Sequence, residues 1–419
     1  MPATEYQGTP THSHSSPFSF GRSLFSLRRD APASSPDSMP PPPASAEDAD
    51  LDAFQRSLAA RLADLRDGGG ELEFLSAAWI RRLLEAFVAC QEEFRAAAAA
   101  AHARRRGVSH AEKLVAEFGE RAVKALDVCN AARDGLDQAR RWERLAGIAA
   151  SALLAPGEVH EGQLRRARKA LSDLSVLLVD DAAAAAGPGG GGVAAFLASH
   201  RNRSFGRARA SPSRAASLAS TSSSSSSSHF RSLSWSVSRT WSAARQLQAI
   251  SAGLAAPRAH EAGLPAPAYA MGCLLHLAAW ALVAAVPCPD RAAALQAHHL
   301  PAAAPPRAAF PWAPPLLALQ ERLAEEAKRK DRRNSCGLLG EIHALEKCAQ
   351  RLAEAIDAAP VPLAGDREAE VREAAAELAA ACAAMRDGLE PLERQVREVF
   401  HRIVRSRMDG LDSPMINGD

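Results

Sequence analysis

The stretch AYAMGCLLHLAAWALVAAV, Ala268 to Val286, decides the fold. It is the densest part of a window, residues 262–289, in which 28 consecutive positions carry no charged side chain. Its apolar residues include Met271, Leu274, Leu275, Leu277, Trp280, Leu282 and Val283. The length suits a bilayer, which needs about 20 residues. Alanine supplies much of the stretch, however, His276 sits near its centre, and Pro287 closes it, so insertion would be marginal. Two readings follow. The favoured one is a central helix buried by amphipathic neighbours, which need such a core; the other is a membrane span, for which Met271, Leu274, Leu275, Trp280, Leu282 and Val283 are the candidate residues.

Working outward, the neighbours have the helical texture that the favoured reading requires. Leu51, Phe54, Leu58, Leu62 and Leu65 recur at spacings of three and four, and Gly68-Gly69-Gly70 stops the run. A second helix starts after a Ser76 cap with Trp79, Ile80, Leu83, Leu84, Phe87 and Val88, and continues through Phe94 into an Ala run. A third carries Leu114 to Ala131, a fourth carries Trp142 to Leu153 before Pro156-Gly157, and a fifth spans Gln163 to Leu178. Beyond the apolar stretch a Pro-rich turn leads to helices at Leu316 to Lys330, Cys336 to Ala358 and Glu368 to Met385. A last helix, started by Pro391 in its first turn, carries the stripe Leu389, Leu392, Val396, Val399, Phe400, Ile403 and Val404. Short breaks between amphipathic helices predict an antiparallel bundle.

Composition agrees. Of 419 residues 47% are hydrophobic, but much of that is alanine; aromatics are 5% and Tyr occurs twice, which excludes an all-β fold. The fold class is therefore all-α: an elongated multi-helix bundle with a disordered N-terminal tail and a disordered Ser/Arg/Gly-rich central linker. The expected organisation is a tail over 1–48, an N-terminal helical half over 49–181, a basic linker over 182–230, a C-terminal helical half over 231–408, and a short tail over 409–419. The first 48 residues show no secretory h-region and no Met-Gly start for myristoylation. They do hold one apolar and basic patch, Phe18 to Leu27 with Arg22, Arg28 and Arg29, which is either a docking segment or a tail lying on its own fold. The seven Cys are odd in number and never closer than twelve residues, so neither a disulfide framework nor a CxxC site is signalled, and a reducing compartment is expected.

Charge is segregated. Between Asp181 and Glu261 there is no acidic residue but nine Arg, a local +9 against +2 for the whole chain. Part of this stretch, from residue 233, regains helical spacing through Leu233, Trp235, Val237, Trp241, Leu247 and Ile250. Arg201, Arg203, Arg207 and Arg209 interleave with Ser204 and Ser211, the pattern that basophilic kinases use, so these six are the candidate regulatory residues. A mobile basic segment is drawn to anionic lipid at about 1 kcal/mol per Arg, and phosphate would release it. The plain alternative is a solvated spacer. The Arg/Ser mixture also permits RNA contact, but no folded RNA-binding motif accompanies it, and no nucleic-acid partner is expected. Arg332-Arg333-Asn334-Ser335 reads either as a further phosphosite or, more simply, as a cap on the next helix.

Catalytic patterns are missing: there is no GxxxxGK[ST] or GxGxxG loop, no HExxH, no GxSxG and no kinase signature. The nearest approach to a metal set is Cys336, His343 and Cys348, better read as core thiols and a surface imidazole. His298-His299 reads as a solvated pair, and Asp180-Asp181 lacks identifiable further ligands. No enzyme activity, cofactor, metal or small-molecule substrate is expected.

Several blocks together resemble one family. WIRRLLEAFVACQEEFR (79–95), VKALDVCNA (123–131), RNRSFGR (201–207), RSLSWSVSRTWSAARQLQAI (231–250), WALVAAVPCPDR (280–291), DRRNSCGLL (331–339) and LEPLERQVREVFHRIVRSR (389–407) are similar to the plant BYPASS-related proteins, in particular the ROH branch. The opening MPATEYQG and the FGRSLFSLRRD block fit the same branch. The resemblance implies a plant-specific, non-enzymatic helical protein, associated with the exocyst through its seventy-kilodalton subunit and more broadly with growth and root-to-shoot signalling. It implies no catalytic residues. The expected function is an adaptor that modulates secretion, cytoplasmic and held peripherally or integrally at the plasma membrane; the alternative is a single-pass membrane signalling component. The candidate partner stripe is Val396, Phe400 and Ile403, with the Phe18 to Leu27 patch beside it.

Overall fold

The computed structural model describes residues 46–68, 73–104, 110–186, 241–257, 263–296, 310–329, 335–358 and 365–412. Among the described residues the regular structure is entirely helical: α1 (Ala46–Asp67), α2 (Ala77–Arg104), α3 (His110–Leu153), α4 (Glu161–Ala186), α5 (Ala243–Ser251), α6 (Pro265–Ala285), α7 (Arg291–Gln296), α8 (Ala313–Lys328), α9 (Gly340–Ala358) and α10 (Gly365–Asp412). The all-α bundle expected from the sequence is what forms. Residues 1–45 of the expected tail, 187–230 of the linker with Arg201, Arg203, Ser204, Arg207, Arg209 and Ser211, the Phe18 to Leu27 patch and His298-His299 lie outside the described residues; the remaining edges differ from expectation, since 46–48 belong to α1, 182–186 to α4 and 409–412 to α10.

Helix α6 is the apolar stretch. Every residue from Tyr269 to Ala285 is buried, because α1, α2, α3, α5, α7 and α8 all pack against it. A helix that is apolar all round has two stable homes, a membrane or the middle of a protein core. By length and hydropathy α6 suits either, but 94% of its apolar window lies inside the fold. The structure therefore gives the six candidate membrane residues a protein environment: Met271, Leu274, Leu275, Trp280, Leu282 and Val283 are all core.

Two pairs of expected helices are each one helix. The stretches Leu114 to Ala131 and Trp142 to Leu153 run together in α3, 44 residues long, since nothing between them breaks a helix except Gly135. That glycine serves packing: a Cβ there would fall on the carbonyl oxygen of Pro287. Likewise α10 runs 48 residues, with Pro391 inside it rather than in a first turn. An interior proline costs about 3 kcal/mol by clash and a lost backbone bond. The buried neighbours Leu389 and Leu392 hold the helix through it.

Antiparallel packing of α10 on α3 is the largest interface of the bundle. Its register is marked by polar pairs in which α3 numbers rise as α10 numbers fall: Glu120 with Arg407, Arg140 with Glu393, Glu143 with Arg386. Beyond the end of α3, Arg372 reaches the Ala155 carbonyl at 3.3 Å and Glu368 accepts from the Val159 N–H at 3.2 Å. The exposed pair of Glu120 and Arg407 contributes about 0–1 kcal/mol, while Glu143 and Glu393 are largely buried; together the pairs set register, and Val371, Leu378, Leu389 and Leu392 supply the apolar burial.

Replacing Leu282 by Ala is expected to cost about 2–5 kcal/mol, seen as a lower denaturant midpoint at unchanged slope. Leu275→Asp, an unpaired charge in the same core, is expected to abolish the cooperative helical melt of the soluble chain. Wild-type stability in both variants would contradict a packed α6.

Candidate functional site

Every helix leaves its last carbonyls without partners in the helix, and those of α6 end too deep to reach water. Residues 335–339, the approach to α9, supply the missing donors. The Leu338 N–H donates to the Ala284 carbonyl at 2.9 Å and the Leu339 N–H to the Ala285 carbonyl at 3.0 Å. Gly337 permits this approach, since a Cβ there would fall on the Ala285 carbonyl oxygen. One residue further, the Gly340 N–H donates to the Leu75 carbonyl at 3.1 Å. The Glu341 carboxylate then accepts from the Ala77 N–H at 3.0 and 3.2 Å, covering the start of α2. Leu75 itself sits at φ 62°, and Ser76 caps α2 as expected, its hydroxyl accepting from the Trp79 N–H at 3.1 Å.

A second layer fixes this clasp. Arg291, buried at the start of α7, donates to the Ala284 carbonyl at 3.4 Å and to the Ser335 carbonyl. The Ser335 hydroxyl lies 2.7 Å from the Gly337 carbonyl and 2.8 Å from a Glu346 carboxylate oxygen, each an acceptor for its one proton. The other Glu346 oxygen accepts from the Cys336 N–H at 3.2 Å, and the Cys336 thiol donates to the Leu178 carbonyl at 3.3 Å. On the far side, Asp290 (φ 59°) accepts from the Ser242 hydroxyl, which also accepts from the Arg245 N–H at 3.4 Å as the cap of α5. The PCPD turn, α5, α7 and α9 thus meet around the end of α6.

Burial governs the charges here. It lowers the Arg291 guanidinium below its ordinary value and raises the Glu346 carboxyl, against which the Ser335 hydroxyl and Cys336 N–H work. It raises the Cys336 thiol far above the usual range, helped by Glu346, and pushes Cys288 up to about 12. These thiols stay protonated and are not nucleophiles. The hydroxyls of this clasp face carboxylates and carbonyls rather than an imidazole base, and among the described residues no group of three or more His, Cys, Asp or Glu could hold a metal. What the arrangement does is fasten four chain segments to one helix end.

The other residues singled out in the sequence fall into place. Val396 and Ile403 are 2% and 1% exposed and Phe400 is half-buried, so the partner stripe faces the bundle and is not free as a docking face. Its periodicity reflects core packing. Ser335 does not cap α9, which begins five residues later at Gly340. Asp181 accepts from Trp142 Nε1 at 3.1 Å and Gln138 Nε2 at 2.5 Å, so its carboxylate ties α4 to α3. Arg291 and Glu346 were not singled out by sequence reasoning; an arginine directly after the turn that closes an apolar run is the one signal that pointed to them.

Fold and site together define an all-helical bundle organised around one fully buried helix and fastened by a polar knot. The chain belongs to the ROH1-like family, whose model matches residues 2–414. Among its relatives in Arabidopsis thaliana, Protein ROH1D is 42% identical over 99% of this chain and 98% of that protein. Protein ROH1A is 36% identical over 87% of this chain and 90% of that protein. The resemblance read from the sequence blocks is borne out, and neither relative's name denotes an enzymatic activity. No solved structure matches the chain.

Because its folded carboxyl is raised, Glu346 binds its proton more tightly in the native than in the unfolded chain. Its contribution therefore falls as pH rises from the ordinary glutamate range through the raised value, and recovers on acidification. Glu346→Gln is expected to remove that slope from the pH dependence of unfolding, whereas Glu346→Ala, which strands the Cys336 N–H and leaves the Ser335 hydroxyl only the Gly337 carbonyl, should cost about 1–3 kcal/mol at neutral pH. Equal stability of both variants with wild type would contradict the knot.

Proposed function

We propose that the protein is a non-enzymatic adaptor that binds the seventy-kilodalton subunit of the exocyst and modulates exocytosis at the plasma membrane. The observation that carries this reading is the family match along nearly the whole chain, residues 2–414, with the exocyst partner drawn from the BYPASS-related resemblance. The chemistry of the fold is compatible with it. The buried polar side chains of the knot are occupied in holding helices together, and its buried thiols are held protonated. An adaptor needs surface rather than a cleft, and a bundle offers long charged helix faces for specific contact over roughly 1,200–2,000 Å².

Membrane attachment in this reading is peripheral and cytoplasmic. Burial of α6 supports it, since the apolar stretch already has its partners within the bundle. The basic linker is the regulated contact, with Arg201, Arg203, Arg207 and Arg209 attracted to anionic lipid and Ser204 and Ser211 as sites where phosphate would cancel that charge. No cofactor, nucleic acid or small-molecule substrate enters the scheme.

The test is calorimetric titration of the purified full chain with the recombinant seventy-kilodalton subunit, alongside extraction of plant membranes by high salt, alkaline carbonate or detergent. Saturable binding at micromolar or tighter affinity, about −8 kcal/mol, and release by salt are expected. Absence of binding removes the adaptor reading, and retention until detergent is added removes the peripheral one.

A further inference from the structure

Ser335 occupies an unusual position for a hydroxyl. It is 6% exposed, and the two groups within hydrogen-bond reach of its oxygen are both acceptors, the Gly337 carbonyl and the Glu346 carboxylate. With Glu346 ionised, the site accepts a serine only as a proton donor. In the sequence, Arg332 and Arg333 stand three and two residues before it, the spacing that Arg-directed kinases read. We propose that Ser335 is a phosphorylation site whose modified and docked forms exclude each other, so that phosphate acts as a wedge at the entry to the clasp on α6.

The chemistry is ordinary phosphoryl transfer. The Ser335 oxygen bonds to the γ-phosphorus of ATP, the bond from that phosphorus to the ADP oxygen breaks, and the hydroxyl proton passes to the base of the kinase. The product carries a charge of about −1.5 to −2 and accepts hydrogen bonds without donating one when fully ionised. Returned to its place it would meet the carboxylate of Glu346 and the carbonyl of Gly337 with no donor between them. The Arg291 guanidinium already gives its two terminal nitrogens to the Ala284 and Ser335 carbonyls, so that only its Nε–H is without a partner.

The geometry also limits what must open. A kinase needs the chain as far as Ser335 and Cys336, which are held by Glu346, by Arg291 and by the Leu178 carbonyl. The anchors further on, Leu338 on Ala284 and Leu339 on Ala285, can stay closed while those two residues lift away. Local opening of this kind requires only part of the global unfolding free energy. Once phosphorylated, the entry stays out, Arg291 loses the Ser335 carbonyl, and a buried guanidinium is left with the Ala284 carbonyl alone. The end of the central helix and the start of α7 then loosen, while α3 and α10 keep their interface.

The test uses the intact full-length chain, ATP and the catalytic domain of an Arg-directed kinase, with site mapping by mass spectrometry and amide hydrogen exchange of the product. Phosphate is expected on Ser335, absent from S335A and reduced at least tenfold in the R332Q/R333Q chain, in which Ser335 and Glu346 are unchanged. In the phosphorylated chain, peptides covering 284–296 and 335–341 should exchange at least tenfold faster than in wild type and faster than in S335A, with the interior of α3 unchanged. Two results would overturn the proposal: uptake confined to linker serines such as Ser204 and Ser211 in a folded chain, or full occupancy of Ser335 with wild-type protection of 284–296.

Discussion

A helix that is apolar on all sides, placed in water, must be enclosed, and its terminal carbonyls must find donors that water would otherwise supply. This double demand of α6 organises the molecule. The first part is met by α1, α2, α3, α5, α7 and α8, which give it a wall on every side. The second is met by the Leu338 and Leu339 N–H groups and by Arg291. Without the second the first would fail, because buried peptide groups left unpaired cost about 1–3 kcal/mol each.

The enclosure explains why parts of the chain far apart in sequence form one unit. Helices α1 to α3 precede the basic linker, α6 follows it, and α9 and α10 return to α2, α3 and α4. Loop-closure entropy grows slowly with length, so a long insertion between α4 and α5 is tolerated provided both of its ends are tied down. The second end is. Arg121 of α3 donates to the Ile250 and Ala252 carbonyls at 2.6 and 2.8 Å, and Lys124 to the Ala249 carbonyl at 3.0 Å, holding the close of α5. Ser242 and Asp290 hold its start.

Much of the fold was legible because helical periodicity survives averaging over many residues. Leu58, Leu62, Leu83, Leu84 and Phe87 were read as core and are fully buried, and the favoured reading of Ala268 to Val286 is the one found. The boundaries were less legible. Pro391 looks like a start and is an interior residue, because packing of Leu389 and Leu392 outweighs a local preference. The polar knot was hardly legible at all: Ser242, Asp290, Arg291, Ser335 and Glu346 come from four places in the chain, and no periodic pattern links them. The stripe Val396, Phe400, Ile403 illustrates the converse, since a periodic apolar face is the signature of core and partner surface alike.

The rest of the fold depends on α6 being the enclosed and clasped core of the bundle. Native-state amide hydrogen exchange on the purified chain in detergent-free buffer tests it most directly. The account predicts that the amides of residues 270–285, together with those of Leu338 and Leu339, exchange only through global unfolding, with the same denaturant dependence as the cooperative melt. Rapid or sub-global exchange of those amides in buffer, with protection appearing only when micelles or bilayers are added, would contradict it.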